Sequence, residues 1–170
     1  MSSEDTPQVP VLRPARMDDH PRICGLADLM DGLHRENLPD RYRKQAGPSR
    51  AADYVQSLIE DEETFLTVAE LCGELVGLIN AGLARTPDVP VKRRRVFLKI
   101  RGVVVGPDAR RQGVGRSLVQ AAQAWARGRG AEEAQLNVYD FNGAAAGFFA
   151  SLGFTPLSHR LLRTLDEPEV

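Results

Sequence analysis

Val103-Val104-Val105-Gly106-Pro107-Asp108-Ala109-Arg110-Arg111-Gln112-Gly113-Val114-Gly115 takes the chain from a β-branched run, through a turn, into a helix. β-Branched residues fit a pleated strand, and Gly106-Pro107 ends it. From Val114 to Arg127 the residues Val114, Leu118, Ala121, Ala122 and Trp125 recur at helical spacing, and Gly128 and Gly130 close the helix. The first turn of a helix presents backbone N–H groups without intrahelical partners, and the macrodipole adds partial positive charge there. Gly113 and Gly115 remove the Cβ that would hold an anion away. Arg110, Arg111 and Arg116 surround the same point with charge. Strand, glycine turn and helix N-terminus together predict a pyrophosphate cradle.

Working outward, Val96 to Val105 reads as one long strand. Before it lie two shorter β-forming runs, Thr64 to Glu70 and Leu75 to Leu83, joined by a Cys72-Gly73 turn into a hairpin. Pro87 to Arg95 is a loop rich in proline and charge. Ile23, Leu26, Leu29, Met30 and Leu33 place a helix from Asp18 to about Asn37, with Asp18 or Asp19 as cap, Pro21 in its first turn and Pro39 as its stop. Tyr54, Val55, Leu58 and Ile59 give a second helix over Ser49 to Glu60. Val11 to Arg13 is a short strand closed by Pro14, and residues 1–10 are a flexible, polar tail. Downstream, the expectation is a strand over Ala134 to Tyr139, a helix over Asn142 to Leu152, and a last strand from Phe154 carrying Leu157, Leu161 and Leu162. The fold class is α/β or α+β, with a mostly antiparallel start and a crossover in the second half, in one domain over residues 11–170.

Composition narrows the function classes. The 170 residues suit one core, and the formal net charge of −1 offers no basis for a nucleic-acid partner. The basic run Lys92, Arg93, Arg94, Arg95 reads as a solvated loop. No apolar stretch is long enough to cross a bilayer, so no membrane partner is expected. The N-terminal residues lack the charged-then-apolar order of a signal peptide, which gives a cytoplasmic expectation. Cys24 and Cys72 have no paired spacing and no histidine cluster, so neither a metal site nor a disulfide framework is expected.

Three phosphate motifs compete for the glycine turn. A dinucleotide fingerprint requires a third glycine, and Leu118 stands in its place. A Walker loop ends in Gly-Lys-Ser/Thr, which does not occur. The remaining pattern, Arg-x-x-Gly-x-Gly at Arg110, Gly113 and Gly115, resembles the coenzyme A signature of the GNAT acetyltransferase superfamily. Two later features agree with it: Leu136-Asn137-Val138-Tyr139-Asp140-Phe141-Asn142, where an asparagine opens a helix after a strand, and the aromatic pair Phe148-Phe149 followed by Leu152-Gly153-Phe154. The resemblance covers about Val11 to Arg163, most specifically Val103 to Phe154. It implies a mixed, mostly antiparallel central sheet with helices on both faces and acetyl-CoA as co-substrate. It also implies that the strand at Val103, Val104 and Val105 splays from its neighbour and pairs its backbone with the pantetheine arm. Amides of Arg111, Gln112, Gly113, Val114, Gly115 and Arg116 would hold the pyrophosphate. Asn142 would hydrogen-bond the coenzyme, although it equally suits a plain helix N-cap.

The chain departs from the family pattern twice. Relatives commonly carry tyrosine as the second aromatic, proposed to protonate the departing thiolate; here it is Phe149. A thiol of pKa about 8.5 makes free thiolate uphill by only about 2 kcal/mol at pH 7, so transfer survives without a dedicated acid. Tyr139 is a candidate substitute, against a reading as a packed aromatic. The acidic residue often found late in the long strand is also missing, since the strand reads Lys99-Ile100-Arg101-Gly102. A lysine-like amine of pKa about 10.4 is neutral in fewer than about one molecule in a thousand at pH 7, so a base matters more than an acid. His34 and Glu36, at the end of the first helical region, are the candidate bases, each also readable as a surface residue.

Two readings follow. One is an N-acetyltransferase in which a primary amine attacks acetyl-CoA directly in a ternary complex. The other is a module of the same fold that binds acyl-CoA with impaired turnover, which Phe149 and the missing strand acid favour. The acceptor is a small-molecule or peptide amine, and a homodimer is common among relatives.

Overall fold

The computed structural model of the protein describes residues 9–165. The first eight residues of the expected tail lie outside them. The chain forms two compact units, one running to Asn137 and one from Val138.

The first unit is built on β1 (Val11–Pro14), β2 (Thr64–Leu71), β3 (Glu74–Arg85), β4 (Val96–Val105) and β5 (Glu133–Gln135), which lie side by side in chain order. β1 to β4 pair antiparallel, and β5 joins β4 parallel. Cys72 and Gly73, both at positive φ, make the turn between β2 and β3. The helices of this unit are α1 (His20–Asn37), α2 (Ala52–Glu60) and α3 (Val114–Arg127).

Helices cover both faces of this sheet, as strand alternation makes plain. Ile23 and Leu26 of α1 and Val55 of α2 form one buried cluster with Leu66, Val68 and Leu78, against which Val104 packs. Gly77 is next to Leu78 and so faces the other way. A Cβ on Gly77 would lie 2.9 Å from Val114 and 3.2 Å from Leu118, so α3 seats on that opposite face against a strip with no side chain. The buried side of α3 is Val114, Leu118, Val119, Ala122 and Ala126. Ala121 and Trp125, expected there, stand at its border: the Trp125 ring lies 5.3 Å from Phe65 and beneath the Arg129 guanidinium. Leu118 is fully buried, and its truncation to Ala would cost about 2–5 kcal/mol.

Asp19 precedes α1 but does not cap it with its side chain. Its carboxylate instead takes both arms of Arg13, at 2.7 and 2.8 Å, and the Arg16 N–H at 2.8 Å. Arg13 also pairs with Glu70, so β1, β2 and the start of α1 are tied at one charged point. The Arg13 hydrogen bond holds the Asp19 carboxyl below the ordinary carboxylate range despite its burial.

β4 is not a regular strand. Gly102 pairs with Asn80 while Ile100 pairs with Ala81, leaving Arg101 as an extra residue in a bulge. β5 is shorter than the expected Ala134 to Tyr139 strand, and its ladder with β4 spans only Phe97 to Lys99.

The second unit contains α4 (Gly143–Ser151). Asn142 caps it, its Oδ1 accepting from the Ala145 N–H at 3.0 Å. Phe149 sits edge-on between Phe148 and Phe154, at 5.0 and 5.4 Å. The last strand expected from Phe154 does not form: residues 154–165 carry no strand, and Leu157, Leu161 and Leu162 are exposed. Leu157 and Leu161 would share a face with His159 and Arg163, leaving no continuous apolar side to bury, and Pro156 has no N–H to give a ladder.

Candidate active site

The turn between β4 and α3 is shaped by backbone conformation. After a single 3-10 turn at Pro107–Ala109, Arg111 and Gly113 both adopt positive φ, 63° and 81°. Only glycine takes this region without strain. A Cβ on Gly113 would meet nothing within 4 Å, so the space before it is open. The Ser117 N–H is satisfied by the Gly113 carbonyl at 3.0 Å. The N–H groups of Val114, Gly115 and Arg116 precede that first intrahelical bond and project from the N-terminal end of α3. Two side chains brace the turn: Arg110 Nε donates to the Val105 carbonyl at 3.1 Å, and Gln112 Nε2 to the Asp108 carbonyl at 2.9 Å. Arg110, Arg111 and Arg116 are exposed around it. This arrangement fits a polyanion: open space, outward amides and three cations.

Val103, Val104 and Val105 lead directly into that turn. Their ladder to β3 is complete, through Ile79, Leu78 and Gly77. On the other side the β5 ladder has already ended at Lys99. Their outward backbone groups therefore lie beyond the point where β4 and β5 part, a fork at which an extended chain has main-chain groups to pair with.

A cavity of about 150 Å³ lies on the α1/α2 face of the sheet. Ile23, Ala27 and Met30 of α1 line it, with Tyr54 and Val55 of α2 and Leu78 and Val104 of the sheet. Its polar lining is Arg50, Asn80 and Arg101. Arg50 is neutralised by Asp31 in a two-armed pair at 2.8 and 3.2 Å. Arg101 makes a long contact to Asn80 Oδ1, at 3.4 Å.

A family model described as the acetyltransferase (GNAT) family matches residues 28–154. The chain belongs to that family. It is similar to aminoglycoside N(6')-acetyltransferase type 1 of Klebsiella aerogenes, with 31% identity over 114 residues covering 67% of this chain and 74% of that protein. Among solved structures it resembles a mutant of the BH1408 protein of Bacillus halodurans, with TM-score 0.86 and 22% identity over 91% of this chain and 99% of that one. It also resembles the aminoglycoside 6'-N-acetyltransferase AAC(6')-Ih of Acinetobacter baumannii, with TM-score 0.72 and 15% identity over 94% and 99% of the two chains. These last two likenesses concern the fold.

As a member of this family the chain is an N-acetyltransferase. The residues expected to bind the coenzyme between Val103 and Arg116 all lie in the first unit, along the end of β4, the turn and the start of α3. Asn142 belongs to the second unit and uses its carbonyl oxygen as helix cap, so any further bond it gives comes from Nδ2. Tyr139 is in the same unit, stacked 5.6 Å from Phe141. His34 stands one turn beyond Met30 on the α1 face that borders the cavity, stacked on Tyr42 at 4.9 Å. Burial pushes its imidazole pKa down, against the opposing pull of Asp31. Glu36 is exposed and turns away from that face. The cavity cations Arg50 and Arg101 escape a sequence reading. The only signal is an arginine beside a glycine inside a β run, which reads first as a missing acid. No helix among the described residues is long and apolar enough to cross a membrane.

Proposed function

We propose that residues 11–170 act as one acetyl-CoA-dependent N-acetyltransferase domain, with residues 1–10 as its tail, acting in the cytoplasm on a small-molecule primary amine. The observation that carries this reading is the turn at Gly113, whose positive φ, open front and outward helix amides suit a pyrophosphate. Relatives named for aminoglycoside acetylation support a small-molecule acceptor.

Acetyl-CoA supplies a thioester whose carbonyl is open to attack by a neutral amine. The backbone of Val103, Val104 and Val105 orients the pantetheine arm along the fork. The amides of Arg111 to Arg116, with the Arg110, Arg111 and Arg116 guanidiniums, hold the pyrophosphate, and Asn142 Nδ2 donates to the coenzyme. The cavity beside Val104 receives the acceptor. A C–N bond forms as the C–S bond breaks; the amine loses one proton and the thiolate gains one. Proximity of the two bound substrates supplies several kcal/mol of the acceleration. His34, directly or through water, takes the amine proton, helped by burial that favours its neutral form. Glu36 is the second candidate base. Tyr139 protonates the thiolate, a modest demand at about 2 kcal/mol.

The alternative is an acyl-CoA-binding module with impaired turnover, favoured by Phe149, which has no proton to give. Release of free thiol from acetyl-CoA in the presence of a panel of primary amines separates the two. Amine-dependent release at a steady rate supports the enzyme. Tight acetyl-CoA binding with no release above the hydrolytic background supports the module.

A further inference from the structure

The acceptor cavity has the wrong charge for a polycation. Asn80 and Gly102 are register partners and both line the cavity. Ile100 pairs with Ala81, one residue further along β3, and so faces the other side. The bulge inserts Arg101 between these two and turns it onto the cavity face, as bulges commonly re-aim a side chain. Its guanidinium lies against Gly82: a Cβ there would sit 2.6 Å from Nη1 and 2.8 Å from Nη2, so a larger residue would displace the guanidinium from this position. Lys99, the register partner of Gly82, faces the same side.

Two of the nearby carboxylates are paired. Asp31 is taken by Arg50, and Glu63 by Arg85. Asp61 accepts from Thr64 Oγ1 and the Glu63 N–H, and Arg101 acts on it only through space. No ion pair among the described residues engages Arg101 or Lys99.

We infer that the acceptor carries an acidic group beside its amine, and that Arg101, seated by the β4 bulge over Gly82, binds that group. The inference rests on the acetyltransferase reading and narrows its substrate class to small amino-carboxylates. A guanidinium offers two parallel N–H donors to a carboxylate, with geometry as well as charge in its favour. A polycationic amine would instead meet two cations, while Asp31 and Glu63 are already paired with arginines of their own. The cations also favour the neutral form of the attacking amine, which eases the demand left by the missing strand acid.

The test is a set of matched acceptors at saturating acetyl-CoA: dipeptides with a free C-terminal carboxylate, the same dipeptides as C-terminal amides, and a polyamine. In the unaltered protein kcat/KM for the free carboxylates should exceed that for the amides by about tenfold or more, the size expected of one charge-assisted pair. Arg101→Gln should bring the ratio close to one, chiefly through KM for the carboxylate, and Arg101→Lys should retain part of it. The matched comparison in the unaltered protein decides the matter even if Arg101→Gln folds poorly. Equal or better use of the amides or the polyamine overturns the inference, as does a ratio that survives Arg101→Gln. Acetyl-CoA binding, measured by calorimetry, with no carboxylate acceptor used also overturns it while leaving the coenzyme site intact. Absence of both acetyl-CoA binding and thiol release with every amine removes the acetyltransferase reading itself.

Discussion

Replacing Gly113 with valine separates two effects that usually arrive together. Gly113 has φ 81° and ψ −3°, a left-handed conformation that costs a residue with a Cβ about 1–2 kcal/mol. In a chain of this size that strain lowers Tm by about 2–4 °C per kcal/mol. It is a property of the backbone alone, because a Cβ at Gly113 meets no protein atom within 4 Å. Gly130, just past α3, is the matched control: its φ is 84° and its Cβ position is equally open. Gly113→Val and Gly130→Val should therefore lose similar stability. They should differ in acetyl-CoA affinity, since only the opening at Gly113 is the proposed pyrophosphate site. Isothermal calorimetry should find Kd raised by more than about tenfold for Gly113→Val, or about 1.4 kcal/mol, and within about twofold for Gly130→Val. A folded Gly113→Val protein with unaltered affinity, or equal losses in both variants, would refute the cradle.

Three further outcomes are expected. Phe149→Tyr should change turnover only a few-fold, because Phe149 is packed between Phe148 and Phe154 and the thiolate needs little help; a hundredfold gain in steady-state kcat would instead mark the natural chain as impaired. His34→Gln should lower kcat by about a hundredfold and abolish an ascending limb in the pH profile lying below the ordinary histidine value of about 6.5, whereas Glu36→Gln should have little effect; near-normal turnover of His34→Gln from pH 6 to 9 would leave the proton to water. The lowered Asp19 pKa contributes stability that is present above the unfolded value of about 3.9 and lost as pH falls through the folded value. Arg13→Ala should therefore cost about 2–3 kcal/mol at neutral pH, less than a fully buried pair because Arg13 keeps 24% of its side chain exposed, and urea midpoints should converge with the natural chain in acid.

The bounds of β4 and α3 were legible because each rests on a local signal: a run of β-formers closed by Gly106-Pro107, and a 3.6-residue period closed by Gly128 and Gly130. The strand, turn and helix of the proposed cradle were legible for the same reason, since they are consecutive. The bulge at Arg101 was not. Whether a strand residue is extra depends on the spacing of its partner in β3, which Val96 to Val105 does not encode. Asp19 was expected as a cap because cap propensity is local, whereas Arg13 reaches it through the sheet. The cavity charges depend on α1, α2 and the bulge meeting in space, which no periodicity reports. The final strand was expected from apolar content alone, whereas the charged and polar residues between Leu157 and Leu161 and the proline at 156 argued against it.

β4 is an interior strand at one end and an edge strand at the other, because its ladder to β5 stops at Lys99. From Ile100 to Val105, alternate amides are held by β3 while the others face the fork. The two sets should exchange their hydrogens with solvent at different rates within one strand, the fork-facing set being fast. A coenzyme arm laid along the fork would behave as a sixth, non-peptide strand, slowing that set selectively and turning the sheet's weakest margin into part of its interior. Binding would then be read in the protein as secondary structure gained, before any bond is made or broken.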